Sequence, residues 1–388
     1  MKDLVKAGWI EIPLGEIAEL RGRIGWKGLT AKEYTKSGPR FLSVHSLNYG
    51  DYVDFRDAFH ISQERYDESP EIMLQRDDIL ICKDGAGIGK LGVVPEILEP
   101  TTINSSLLLI RPGPKAVPKY LYFCLLSPYF QEIVQSRLEG ATTPHLYQRD
   151  ITTFPIFLPP LKEQQRIVAV LDEAFEGLAR ARAHAEANLQ NARELFESYL
   201  EGVFVEGAWP EKTLDQISEN LDRVRVPITK SKRVAGDIPY YGASGVVDHV
   251  ADYLFDEDLL LISEDGANLL ARTYPIAFPI SGKSWVNNHA HVLRFNDPDA
   301  QEFVRLYLNS ISLEPYVSGM AQPKLNQKQL NRIPIPFPDD DTRREIVSRA
   351  HTISKEKRRL ERNYEAVLQD LDDLRQSLLQ KAFAGELT

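Results

Sequence analysis

Val5-Lys6-Ala7-Gly8-Trp9 returns 200 residues later as Val205-Glu206-Gly207-Ala208-Trp209, and the match runs on through Glu11/Glu211, Leu14/Leu214, Ile17/Ile217 and Glu19/Glu219. Self-similarity of this kind sets the architecture before any other signal. Further along, Asp84-Gly85-Ala86 matches Asp265-Gly266-Ala267 at an offset of 181, and Asn104 matches Asn287 at 183. Gly140-x-x-x-Pro144-x-Leu146 matches Gly319-x-x-x-Pro323-x-Leu325 at 179, as do Pro155-Ile156 and Pro334-Ile335. The order is colinear, and the offset falls mainly between the Trp opener and the Asp-Gly-Ala turn. One shortened loop region in the second copy accounts for that.

Each copy has two parts. The first is built of short strands and turns. Apolar runs such as Ile79-Leu80-Ile81-Cys82, Leu107-Leu108-Leu109-Ile110 and Leu259-Leu260-Leu261-Ile262 read as buried strands. Helices are expected at 119–126 and 301–308, which makes each head α+β. The glycines of the Asp-Gly-Ala turns are expected at positive φ.

The second part is a long helix that starts behind a proline-rich strand end and contains no proline, over 161–204 and again from 342 to about 383. Two heptad columns run along each helix. In the first they are Ile167, Ala174, Ala181, Asn188, Leu195 and Leu171, Leu178, Ala185, Ala192, Tyr199; in the second, Ile346, Ile353, Leu360, Val367, Leu374 and Ala350, Lys357, Tyr364, Leu371, Leu378. Alanine on one helix faces large residues on the other, so the two are expected to pack antiparallel as a coiled coil. The whole chain then reads as an α+β pseudo-twofold repeat: a head over 1–160, a helix over 161–204, a head over 205–338 and a second helix region over 339–388.

Composition narrows the chemistry. Hydrophobic residues at 43% and charged residues at 26% describe a folded chain, not a disordered one. No apolar run is long enough for a membrane helix, and Met1–Lys6 is not a signal peptide. Cys82 and Cys124 are the only cysteines, which excludes a disulfide scaffold or a four-cysteine zinc site and fits a reducing cytoplasm. Lys83–Lys90 is a poor phosphate loop, because Asp84 and Leu91 stand where Gly and Ser/Thr are required. No lysine has Asp or Glu two residues before it, so the common metal-dependent nuclease tripeptide is missing. Zinc-like histidine spacing and a nucleophile elbow are missing too. Ser127-Pro128-Tyr129-Phe130 lacks the second proline of an amino-methyltransferase motif. No catalytic candidate recurs in both copies, and the chain is expected to be non-catalytic with no metal site of its own.

What does recur is basic. The net charge is −10, yet Arg21, Arg23, Lys27, Lys32, Lys36 and Arg40 cluster behind the first opener, and Arg223, Arg225, Lys230, Lys232 and Arg233 behind the second. Paired basic clusters suit phosphate neutralisation along DNA. Around the turns, Lys83, Lys90 and Asn268 are further candidate contacts. So are the amides Asn104 and Asn288, together with Lys283, and His145 and Lys324 in the Gly-x-x-x-Pro-x-Leu loops.

The Trp9 and Trp209 openers, paired Asp-Gly-Ala turns, Gly-x-x-x-Pro-x-Leu loops, Phe154-Pro155-Ile156 with Pro159-Pro160-Leu161-x-Glu163-Gln164-Gln165-Arg166, and Leu378–Leu387 together resemble the specificity subunit of type I restriction-modification enzymes. Asp339–Arg344 departs from the pattern where a copy of Glu163–Arg166 would stand. The resemblance implies two target recognition domains that read a bipartite double-stranded DNA site. It also implies helices that act as ruler and as dock for two modification methyltransferase subunits, with restriction/translocase subunits joining them. S-adenosylmethionine, ATP and Mg²⁺ would belong to those partners and no cofactor to this chain. A specificity chain for a type II combined nuclease–methylase and a non-enzymatic coiled-coil DNA-bridging protein remain open as alternatives.

Overall fold

The computed structural model describes residues 8–23, 29–138, 145–319 and 322–387. The chain divides into two compact units, Met1–His184 with Val367–Thr388, and Ala185–Ala366. Each unit contains one head and a stretch of both long helices.

In the first unit a four-stranded antiparallel sheet has the order Ala18–Gly22, Leu107–Pro112, Ile79–Cys82, Leu91–Val93. Beside it, Thr35–Leu42 runs parallel to Thr101–Ile103 and antiparallel to Phe59–His60. Ile10–Pro13 pairs with Pro155–Leu158 at the base. The second unit repeats this plan with Glu219–Asn220, Ala290–Arg294, Leu259–Ser263 and Ala277–Ile280. There Ile238–Gly242 runs parallel to Lys283–Val286 and antiparallel to Gly245–Val250. The register repeats as well: Cys82 faces Leu107 and Ser263 faces Ala290, the same 181 and 183 offsets as the sequence motifs.

Most of the shortening lies before the strand that flanks the parallel pair, where residues 43–58 join Thr35–Leu42 to Phe59–His60 but only 243–244 join Ile238–Gly242 to Gly245–Val250, and the rest lies after it. From Phe59–His60 the chain uses residues 61–78, including helix Gln63–Asp67, to reach Ile79. From Gly245–Val250 it uses only 251–258 to reach Leu259. The helix expected over 119–126 is Pro118–Leu126, and Pro128–Leu138 follows it after a break at Ser127; the one expected over 301–308 is Pro298–Ser310, unbroken. Proline is accepted in a helix's first turn and excluded from its interior, so Pro128 starts a new helix.

The repeat extends to polar contacts that motif matching overlooks. Arg111 forms a two-pronged ion pair with Asp78, and Arg294 does the same with Glu257. At the start of each long helix, Gln164 donates to the carbonyl of Pro159 (2.9 Å) and Arg343 to that of Pro338 (2.7 Å). The sequence departure at Asp339–Arg344 thus changes the residue and keeps the bond.

The long helices are Leu161–Glu206 and Asp340–Phe383. They run antiparallel within each unit. In the first, Leu379 and Ala382 enter the core with Ile167 and Leu171, and Arg182 pairs with Asp372. In the second, Arg193 meets Glu361 and Glu365, and the Tyr199 hydroxyl donates to the Ile346 carbonyl. One heptad column on each helix stays inside. The other requires correction: Ala181 and Asn188 are exposed, and so are Leu195, Val367 and Leu374 at 45%, 41% and 46%. A straight helix turns every 3.6 residues, so a seven-residue column drifts about 20° per repeat. The inward stripe instead steps by eleven, through Ile167, Leu178, Leu189 and Leu200 and through Ile346, Lys357, Leu368 and Leu379.

Candidate nucleic-acid interface

Four sequence-distant segments meet at one place in each head. The strand carrying the Asp-Gly-Ala turn ends between two loops. In the first head the Lys83 amide donates to the Ser106 carbonyl and the Leu146 amide to the Lys83 carbonyl, each at 2.9 Å. In the second head the Glu264 amide donates to the His289 carbonyl at 2.9 Å and the Leu325 amide to the Glu264 carbonyl at 2.7 Å. Isolated bridges join Asp84 to His145 and Asp265 to Lys324. Gly85 and Gly266 have φ of 78° and 106°, as the turns require. A Cβ at either would touch nothing, so the backbone angle alone asks for glycine.

The start of each basic cluster is tied to the same place, which corrects two expected contacts. Arg23 is 3% exposed; its Nε donates to the Ile103 carbonyl at 3.1 Å and its guanidinium lies over Phe41. Burial, then the charge of Arg65, holds that guanidinium below its ordinary value. Arg225 donates to the Ala290 carbonyl and to Glu264, each at 2.6 Å, and is largely buried. Both arginines brace the loops from beneath and do not offer their charge to a ligand.

Other expected contacts also hold structure. Arg40 pairs with Glu99 over Phe55, and Arg233 with Asp248 over Tyr240. Lys90 donates to Asn48 at 2.6 Å. Asn104 accepts from the Ser106 amide and Asn287 from the His289 amide, so both close Asx turns. Asn268 both donates to and accepts from the Tyr274 backbone, so the paired N–H and C=O that would read an adenine edge are already engaged. Lys83 is mostly covered and sits 3.9 Å from Asp84. The His145 ring bonds Asp84 and meets the Tyr147 ring edge-on.

The groups that stay outward are Arg21 (half-exposed, paired with Glu19), Lys36, Arg223, Lys230, Lys232, Asn288 and Lys324, with Lys283 exposed over Tyr253. Lys27 lies outside the described residues. At the Asp-Gly-Ala turns each head has an acid–histidine pair that was not foreseen: Asp84 with His145 in the first head, and Asp265 with His289 at 2.8 Å in the second. The aspartate occupies the same position in both; the histidine comes from a different loop.

Among the described residues one group has metal-like spacing, Asp222, Glu264 and His291, with ligand atoms within 4.8 Å of one another. Cations of the protein already fill it. Arg225 lies 2.6 Å from Glu264 and 3.4 Å from Asp222, and Lys324 is 3.2 Å from Glu264. Burial alone would raise the Asp222 carboxyl. The hydrogen bond and charge of His291, the Val292 amide and Arg225 outweigh that and hold it below the usual carboxylate range.

No helix among the described residues is long and apolar enough to cross a membrane. The chain is 37% identical over 159 residues to a type I restriction enzyme specificity subunit of Haemophilus influenzae, which is 41% of this chain and 40% of that relative. It is 26% identical over 242 residues to the EcoBI specificity subunit of Escherichia coli, 60% of this chain and 50% of that one. The chain therefore matches half or less of the length of these relatives. A solved chain from work on assembly and conformational transition of the type I R-M system superposes with a TM-score of 0.76 at 19% identity, covering 99% of both chains. The HsdS subunit of Thermoanaerobacter tengcongensis gives 0.64 at 20% identity, covering 99% of this chain and 98% of its own. These two establish a shared fold. A profile of the type I restriction modification DNA specificity domain matches residues 6–184 and again 206–369, once for each copy of the repeat, and the chain belongs to that family.

Proposed function

We propose that this chain is the DNA-reading specificity subunit of a type I restriction-modification enzyme, each head reading one half of a split target. The observation that carries this is the convergence, in both heads, of the basic-cluster start, the Asp-Gly-Ala turn, the Asn turn and the Pro-x-Leu loop on one cluster. Loops held on a rigid sheet are where recognition groups belong. In this reading residues 1–160 and 205–338 are the two target recognition domains. The helix regions 161–204 and 339–388 set the gap between half-sites and dock two methyltransferase subunits, to which restriction/translocase subunits add. Phosphate contacts come from Arg21, Lys36, Arg223, Lys230 and Lys232, which position the heads; Asn288, His145, Lys283 and Lys324 stand nearest the bases. The chain performs no chemistry itself, and S-adenosylmethionine, ATP and Mg²⁺ belong to the partners, in the cytoplasm. Co-expression with the methyltransferase from the same locus, followed by methylome sequencing, tests this. A methylated motif with two fixed base clusters around an unspecified gap is expected. A single continuous motif, or none, would rule the reading out.

A further inference from the structure

The geometry points to His291 as a positioning residue of the second head, a buried clasp that fixes every loop of that half at once; this rests on the DNA-reading function above. The ring is 1% exposed. Its Nδ1 lies 2.6 Å from Asp222 Oδ2 and its Nε2 2.7 Å from the Leu325 carbonyl oxygen. A carboxylate and a carbonyl only accept, so both ring nitrogens donate and the ring is an imidazolium. Asp222 also accepts from the Val292 amide at 2.9 Å. Glu264 lies 3.9 Å from Nδ1 and is held by Arg225 and Lys324. Two carboxylates are thus met by an imidazolium, a guanidinium and an ammonium group. A buried ionic network is tolerated only when every member is satisfied, and then it rigidifies what it joins.

The joined residues are neighbours of exposed ones. Asp222 precedes Arg223, Glu264 precedes Asp265, Leu325 follows Lys324, and His291 stands two residues after His289. A shift of the clasp would move outward Arg223, His289 and Lys324 together, along with Asp265, which is largely covered and holds the His289 ring. The first head lacks it: by strand register Leu108 replaces His291, and Lys83 and Leu146 stand at the places of Glu264 and Leu325.

The test is selection of binding sequences from a random duplex DNA pool by the full chain, with the unfolding midpoint followed in parallel. Each amide replaces only one ring donor: asparagine takes the place of Nδ1 toward Asp222 and unties the Leu325 loop, whereas glutamine takes the place of Nε2 toward Leu325 and leaves Asp222 to the Val292 amide and Arg225, which still hold it. His291→Gln is expected to keep enrichment of the second base cluster within about threefold, and His291→Asn to lose about tenfold or more, as one lost buried hydrogen bond implies. The first cluster stays unchanged in both, and their unfolding midpoints stay alike. Asp222→Asn, which keeps the acceptor for Val292, is expected to fall between them in the second cluster only. Equal losses in the Gln and Asn variants, losses shared by both clusters, or no loss at all would overturn the clasp. A wild-type chain that selects no bipartite sequence would overturn the DNA reading itself.

Discussion

At the end of strand Ile79–Cys82 the first head places Lys83; at the end of Leu259–Ser263 the second places Glu264. The charge is reversed, yet the backbone bonds on either side are the same in both heads. Lys83 sits beside Asp84 near the surface, whereas Glu264 is enclosed by Arg225, Lys324 and His291. The turn is specified by main-chain bonds and one positive-φ glycine, so its side chains can change sign provided the surroundings change with them. Two copies of one scaffold can therefore present different surfaces, which is what reading two unlike half-sites requires.

The comparison can be broken most sharply by exchange. Replacing residues 1–155 with the corresponding head of another family member should rewrite one half of the methylated motif and leave the other intact; a change in both halves would mean the heads do not read independently. Next in size is the contrast between Arg23 and Arg21. Arg23→Ala removes a buried, bonded guanidinium and should cost about 2–4 kcal/mol in denaturant unfolding. Arg21→Ala should stay within about 0.5 kcal/mol. The helices give a similar contrast: Ala185, 4% exposed, should lose about 1–3 kcal/mol on enlargement to leucine, and exposed Ala181 almost nothing.

Acid should separate the heads further. The Asp222 carboxyl lies below its ordinary value in the folded state, so its contribution is full above the unfolded pKa of about 3.9 and is lost as pH falls through the lower folded value. The acid limb of the unfolding curve should flatten in Asp222→Asn, in the transition of the second unit. The smallest effect belongs to exposed Arg223: Arg223→Ala should weaken binding to all sequences alike and reduce the salt slope by about one.

Much of this was legible in the sequence because a repeat is compared with itself. The colinear offsets located the equivalent turns, and the strand registers reproduce them. Arg23 was misplaced for a definite reason. Residues two apart on a strand share a face, so Arg23 should have followed exposed Arg21 outward. The strand stops at Gly22, the alternation ends with it, and Arg23 turns into the core. The outer heptad column failed because 3.5- and 3.67-residue periods are hard to tell apart over a few turns and separate only along a whole helix. The Asp222–His291 clasp could not be read because its members lie 69 residues apart and have no counterpart in the first copy.

The first compact unit is not contiguous in the chain. Its core takes Leu379 and Ala382, the Phe383 ring packs edge-on against Tyr120, and Arg375 pairs with Asp51. The second unit is one uninterrupted segment, Ala185–Ala366. On the ribosome, where chains emerge at roughly 5–20 residues per second, the order of completion is therefore inverted. The second unit can finish while the first, synthesised earlier, still waits for residues beyond Val367. During that interval the Ile167–Leu171 face lacks the cover of Leu379 and Ala382.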